Sequence, residues 1–188
     1  MEQSLTKTAS SEVRNPLAAL VSTFEQEVIP TMLAAHPAAN FNWQGNTQEL
    51  AVEYARAMVG TGCTGKNIRD AVDAMRTRST YERHPPNAQE FMIMCLHAKG
   101  MPTIENCLSE MEYQRKENYG KAKTWAEPLS YWLNAAVSQS RRMLPHQQWL
   151  KEVKKHYVEL AVKYAKGELA EIPQLLEYKV QPAYMRYM

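Results

Sequence analysis

The residues best placed to do chemistry stand at 60–67, where Gly60-Thr-Gly-Cys-Thr-Gly65-Lys66-Asn67 spells G-x-x-x-x-G-K. A phosphate-binding loop uses such glycines to turn backbone amides onto phosphates, its Lys to neutralise them, and a Ser or Thr hydroxyl to ligate magnesium. Asn67 stands where that hydroxyl belongs. The motif should also follow a buried strand, yet residues 47–59 carry a helical apolar period opened by a capping signature. The run therefore reads as a glycine-rich turn between two helices.

Other chemistry finds less support. Cys95 and His97 are spaced C-x-H, short of the x₂₋₄ spacing of structural zinc sites, and Cys107 is the nearest further thiol. Cys95 and Cys107 both fall on apolar helical faces, where a free Cys packs as a small hydrophobe. There is no G-x-S-x-G nucleophile motif, and each His lacks a sequence context that assigns it a triad role. No catalytic residue, metal ligand or cofactor is expected, and the chain reads as a non-enzyme.

The elements that would position any site are helices. Gly is scarce (7 residues) and Met abundant (11), with no sustained β-branched alternation, which favours an all-α fold of about seven helices. Leu17, Leu20, Val21, Phe24, Val28 and Ile29 recur at helical spacing from Pro16 up to Pro30. Asn46-x-x-Glu49 and Asn87-x-x-Glu90 have the form of capping boxes, and Gly60, Gly62, Gly100 and Gly167 sit where helices should stop. Ile68, Ala71, Val72 and Met75 mark a short helix, and Ile104, Cys107, Leu108 and Met111 another. One helix is expected around 129–142 and one around 147–166, the latter with Leu150, Val153, Tyr157, Leu160 and Tyr164 along its apolar face. The expected organisation is a flexible arm at 1–14, an N-terminal helical domain at 15–120, and a C-terminal helical region and tail at 121–188. The tail after Ile172 reads as an apolar segment that docks on its own domain or on a partner.

Twenty-two basic and 20 acidic residues leave a net charge of +2. That is far from the strongly basic balance of a typical nucleic-acid-binding domain. Divided at residue 120, the same charges become −3 and +5. Aromatic residues accompany the basic ones in the second part, a combination able to grip single-stranded DNA through phosphate neutralisation and base stacking. Lys151, Lys154 and Lys155 are the candidate nucleic-acid contacts. The competing reading is a solvated helix face opposite a buried aromatic one. Arg76, Arg78 and Arg83 form a second, smaller basic group. No apolar run approaches the 18 residues of a membrane span, and the first residues lack a signal-peptide layout, so a cytoplasmic protein is expected.

Several segments, taken in order, resemble the replication protein P family of lambdoid bacteriophages. They are LAAHPAANF (33–41), Tyr54-Ala-Arg56 with the glycine turn, Met75-Arg76 with Arg78, and Pro86-x-x-x-x-Phe91-x-x-x-Cys95. Trp125, Ser130-Tyr131-Trp132-Leu133 and Gly167-Glu168 followed by Ile172-Pro173 complete the series. None is specific alone; order and spacing across residues 33–173 carry the likeness. The chain departs from the family after Ile172-Pro173, where family members continue into a longer tail rich in Lys and Gly. Its first residues do not match in detail either.

The resemblance implies an all-helical loader of the host replicative DNA helicase. Such an adaptor binds the hexamer, opens the ring and delivers it to an origin marked by a phage initiator protein. The partners so implied are that helicase and that origin-binding initiator in the bacterial cytoplasm, with single-stranded DNA as a further candidate. Aromatic and Arg anchors carry most of the energy of a typical interface. Trp125, Tyr131, Trp132, Leu133, Arg141 and Arg142 are accordingly the candidate helicase contacts. The alternative is a DNA-binding replication or regulatory protein that acts through its basic C-terminal helices.

Overall fold

A computed structural model describes residues 16–37, 46–78, 84–117 and 124–173, so the expected arm, Arg83 and the tail beyond Pro173 lie outside the described residues. Every regular element among the described residues is helical, as expected. The chain divides into two compact units, Met1–Met101 and Pro102–Met188.

The first unit opens with α1 (Pro16–Thr23), a π-helical turn (Phe24–Val28) and α2 (Ile29–Ala35), one continuous helical path. Pro30 does not end it, contrary to the expectation. Pro30 has no N–H to donate and its ring crowds the carbonyl four residues back. The wider turn meets this locally: the Ile29 amide bonds the Phe24 carbonyl, and the Thr31 hydroxyl donates to the Glu27 carbonyl at 2.8 Å. Helices α3 (Thr47–Met58), α4 (Gly65–Arg78) and α5 (Ala88–Lys99) complete the unit.

Helix α5 packs on both α3 and α4, which explains why its apolar residues surround it rather than forming a stripe. Phe91 of α5 meets Phe24 edge-on at 5.7 Å and Tyr54 at 6.0 Å, and these rings form the centre of the core. The Tyr54 hydroxyl donates to the buried Pro86 carbonyl, and burial pushes its pKa up. Asn87 and Glu90 form the full reciprocal capping box, at 3.0 and 2.8 Å. Asn46 does not cap α3; its amide turns to the Glu49 carboxylate instead. Gly100, at φ +114°, ends α5 in a Schellman turn, with Gly100 N–H to His97 O and Met101 N–H to Leu96 O.

The second unit contains α6 (Ile104–Lys116), α7 (Pro128–Val137), α8 (Ser140–Met143) and α9 (His146–Ala165). Helix α6 packs on α7, and α7 on α9. This places the boundary at 101/102 rather than at 120/121. Cys107, Met111 and the buried Gln114 of α6 belong to the same core as Leu129, Leu133 and Val137 of α7. The Gln114 amide donates to the Thr124 carbonyl, and the Tyr157 hydroxyl reaches the Pro102 carbonyl at 2.6 Å.

Redrawn at this boundary, residues 1–101 hold 9 basic and 10 acidic residues, and residues 102–188 hold 13 and 10. The nets are −1 and +3. The steeper contrast came from counting the acidic residues of α6 and Glu117 with the first part rather than with the unit to which α6 belongs.

The single helix expected over 129–142 is two. The Val137 carbonyl accepts from the Trp149 indole at 3.2 Å and from the Ser140 hydroxyl at 3.0 Å. With that acceptor engaged, α7 stops and the chain turns through Ser138-Gln139 into the single turn of α8. The buried face of α9 also differs from expectation. Trp149, Val153, Tyr157, Ala161 and Ala165 are buried, whereas Leu150, Leu160 and Tyr164 are only half-buried. The small Ala161 and Ala165 belong to the face that packs on α7, where close approach of the two backbones needs small side chains.

Candidate functional site

The glycine run at 60–67 joins α3 to α4. A helix, not a strand, precedes it. Gly60 and Gly62 have φ of +81° and +62°, conformations that glycine adopts without strain. The turn is fastened internally: Lys99 Nζ donates to the Thr61 carbonyl at 2.7 Å, and the Thr64 amide and hydroxyl both donate to Asn67 Oδ1 at 2.8 Å. Asn67 in turn donates to the Ala98 carbonyl at 3.1 Å. The side chain in the magnesium-ligand position thus ties this turn to the end of α5. Cys95 and Cys107 lie in different units and are buried, and burial raises both thiol pKa values. Among the described residues no group of three His, Cys, Asp or Glu is placed to hold a metal.

The strongest surface lies in the second unit, along one side of α7. Trp125 meets Tyr131 edge-on at 5.9 Å, and Tyr131 meets Trp132 edge-on at 5.1 Å. All three are half-buried. The Trp132 indole donates to the Ala170 carbonyl at 2.8 Å, which fixes its ring against the segment after α9. Leu133 is fully buried, so it is a packing residue and not a contact; the helix turns it inward while its two predecessors stay at the surface.

Tyr131, Asn134 and Ser138 are spaced three and four apart, which stacks them on one stripe of the helix. Asn134 and Ser138 line a recess of about 380 Å³ with Met111 and Arg115 of α6 and Arg141 and Arg142 of α8. The aromatic strip and the arginine recess therefore adjoin on one side of α7, Asn134 lying one helical turn beyond Tyr131.

Glu112 organises the recess. Its carboxylate accepts from Arg115 at 2.6 Å, Lys116 at 3.0 Å and Arg141 at 3.1 Å. Those three hydrogen-bonded cations push its pKa down to about 2. Arg141 is held a second way, its guanidinium 4.9 Å from the centre of the Trp149 ring. Arg142 is exposed and has no ion-pair partner among the described residues. Three cations hold Glu112 and a fourth, Arg142, lines the recess without an acidic partner among the described residues, so the recess and its margin keep a positive excess. It can receive a carboxylate or phosphate through the planar donor forks of its arginines.

The structure brings together Trp125, Tyr131 and Trp132, and separately Arg141 with Arg142. Lys151, Lys154 and Lys155 are exposed on α9, outside the stripe that packs on α7. Arg115, Asn134 and Ser138 were not legible as site residues. The spacing of α7 could have offered Asn134 and Ser138, but nothing local links Arg115 to Arg141. Compared with known proteins, the chain matches no family model, no curated protein and no solved structure.

Proposed function

We propose that this chain is an adaptor that binds a bacterial replicative helicase hexamer and delivers the ring to an origin, in the manner of the replication protein P family it resembles. The observation that carries the reading is the side of α7 on which Trp125, Tyr131 and Trp132 lead into the arginine recess. Half-buried aromatics beside Arg are the residue types that anchor protein interfaces. The order and spacing of the resembling segments across residues 33–173 say which partner to try. The same reading supplies a phage-type initiator as the second partner, in the cytoplasm of a bacterial host.

The proposed mechanism is differential binding. An adaptor without nucleotide chemistry shifts a helicase from closed to open ring only by its affinity difference for the two states. Inverting a population from about 1:99 to 99:1 takes roughly a 10⁴-fold preference. The internally fastened glycine turn supports leaving nucleotide chemistry out of this mechanism. Among the described residues no helix is long and apolar enough to cross a membrane.

Size-exclusion chromatography with light scattering on a mixture of the chain and a bacterial replicative helicase tests the reading. A co-eluting complex heavier than the hexamer is expected. Two unshifted peaks at low and moderate salt overturn it for that helicase. The exposed Lys151, Lys154 and Lys155 favour a second reading, direct binding of single-stranded DNA. It requires affinity for an oligothymidylate that falls steeply with salt.

A further inference from the structure

We propose that the recess between α6, α7 and α8 is a docking site for an acidic side chain of a protein partner, with Arg142 as the arm that closes on it. The donor count comes first. Arg115 gives Nε and Nη2 to Glu112, and Arg141 gives Nη2 alone. A guanidinium has five N–H donors in a fixed fork. Arg115 therefore keeps both Nη1 donors and one on Nη2, Arg141 keeps Nε, both Nη1 donors and one on Nη2, and Arg142 keeps its whole fork.

Pre-orientation comes second. Glu112 and the Trp149 ring fix Arg141, and Glu112 fixes Arg115, so an incoming anion meets arginines whose rotamers are already chosen. Ordering costs normally reduce affinity, and fixed side chains avoid them.

The shape and surroundings favour a carboxylate over a nucleic-acid backbone. Phosphodiester binding draws its energy from many contacts along a track. Here Arg115, Arg141 and Arg142 converge on one recess, and Met111 lines its apolar side. Residues 102–188 also carry 10 acidic residues, which work against a polyanion. A single Asp or Glu side chain between apolar neighbours suits the recess better. Glu112, beside the recess, already shows how two of these arginines hold a carboxylate.

The inference rests on the adaptor reading only for the identity of the partner. The test is fluorescence anisotropy with the full chain at about 150 mM salt, where surface charges are screened beyond roughly 8 Å. The probe is a labelled peptide of about twelve residues with Asp-Glu pairs between Leu residues, compared with its Asn-Gln counterpart. Tighter binding of the acidic peptide, by about tenfold or more, is expected. Arg142→Ala should weaken it by about tenfold, the order expected for losing one charged hydrogen-bonding fork. Arg142→Lys should weaken it less, and Lys163→Ala, an exposed cation elsewhere on α9, by less than about twofold. An excess of oligothymidylate should leave the peptide bound.

The site is refuted if the Asn-Gln peptide binds equally well, or if Arg142→Ala and Lys163→Ala cost the same. It is refuted also if oligothymidylate displaces the peptide with the same dependence on Arg142. Peptide binding without a helicase complex would remove the adaptor reading and leave this site standing. A helicase complex indifferent to Arg142→Ala would remove this site and leave the adaptor.

Discussion

Glu112 joins the stability of the second unit to its candidate surface. Its carboxyl pKa lies near 2, below the value of about 4.3 it would have in an unfolded chain. A group with a depressed folded pKa adds stability that is present above the unfolded value and lost as pH falls through the folded one. Wild type should therefore melt above Glu112→Gln at neutral pH, and the gap should close between about pH 4.5 and 2. Glu112 is only half-buried and solvent screens its partners, so the gap should be small. Melting curves of both proteins across that range decide it; a gap that persists below pH 2 means that Glu112 acts through something other than its charge. Trp149→Phe keeps a ring under Arg141 but removes the N–H that bonds the Val137 carbonyl and leaves a cavity in the core, and should cost about 1–3 kcal/mol in denaturant unfolding. Leu133→Ala should cost about 2–5 kcal/mol, as a fully buried leucine does. An unchanged midpoint for Leu133→Ala would return that residue to the surface.

Caps and turns set the behaviour of the helices. Asn87 and Asn46 precede the same x-x-Glu pattern, but only Asn87 makes the reciprocal bonds. Asn87→Ala should destabilise by about 1 kcal/mol and Asn46→Ala by a few tenths, measured side by side in urea. Equal costs would mean that Asn46 caps α3 in solution. The capping box was legible because it spans four consecutive residues, and so were the glycine stops at Gly100 and Gly167. The failed cap at Asn46 was not, since the same residue types can bond each other's side chains instead. The face of α9 was misread for a related reason. Hydrophobic size points to Leu150, Leu160 and Tyr164, whereas packing on α7 uses Ala161 and Ala165, whose value is the space they leave.

The described residues form two cores, and a lesion in one should be felt there. Hydrogen exchange on Leu133→Ala should show lost protection in peptides from 102–173 and unchanged protection in α3, α4 and α5. Uniform loss would mean that the two units unfold as one. Sequence alone determined the all-α class, most helix positions and the internal turn at 60–67, because helix period, caps and glycine stops are local interactions between residues a few positions apart. Only the tertiary structure placed the boundary at 101/102, broke the helix at Val137 and set Arg115 beside Arg141. Those outcomes depend on which surfaces meet across long stretches of chain. A basic residue on α6 and a pair on α8 become one recess only after α6 and α7 have buried Met111, Leu133 and Val137 together.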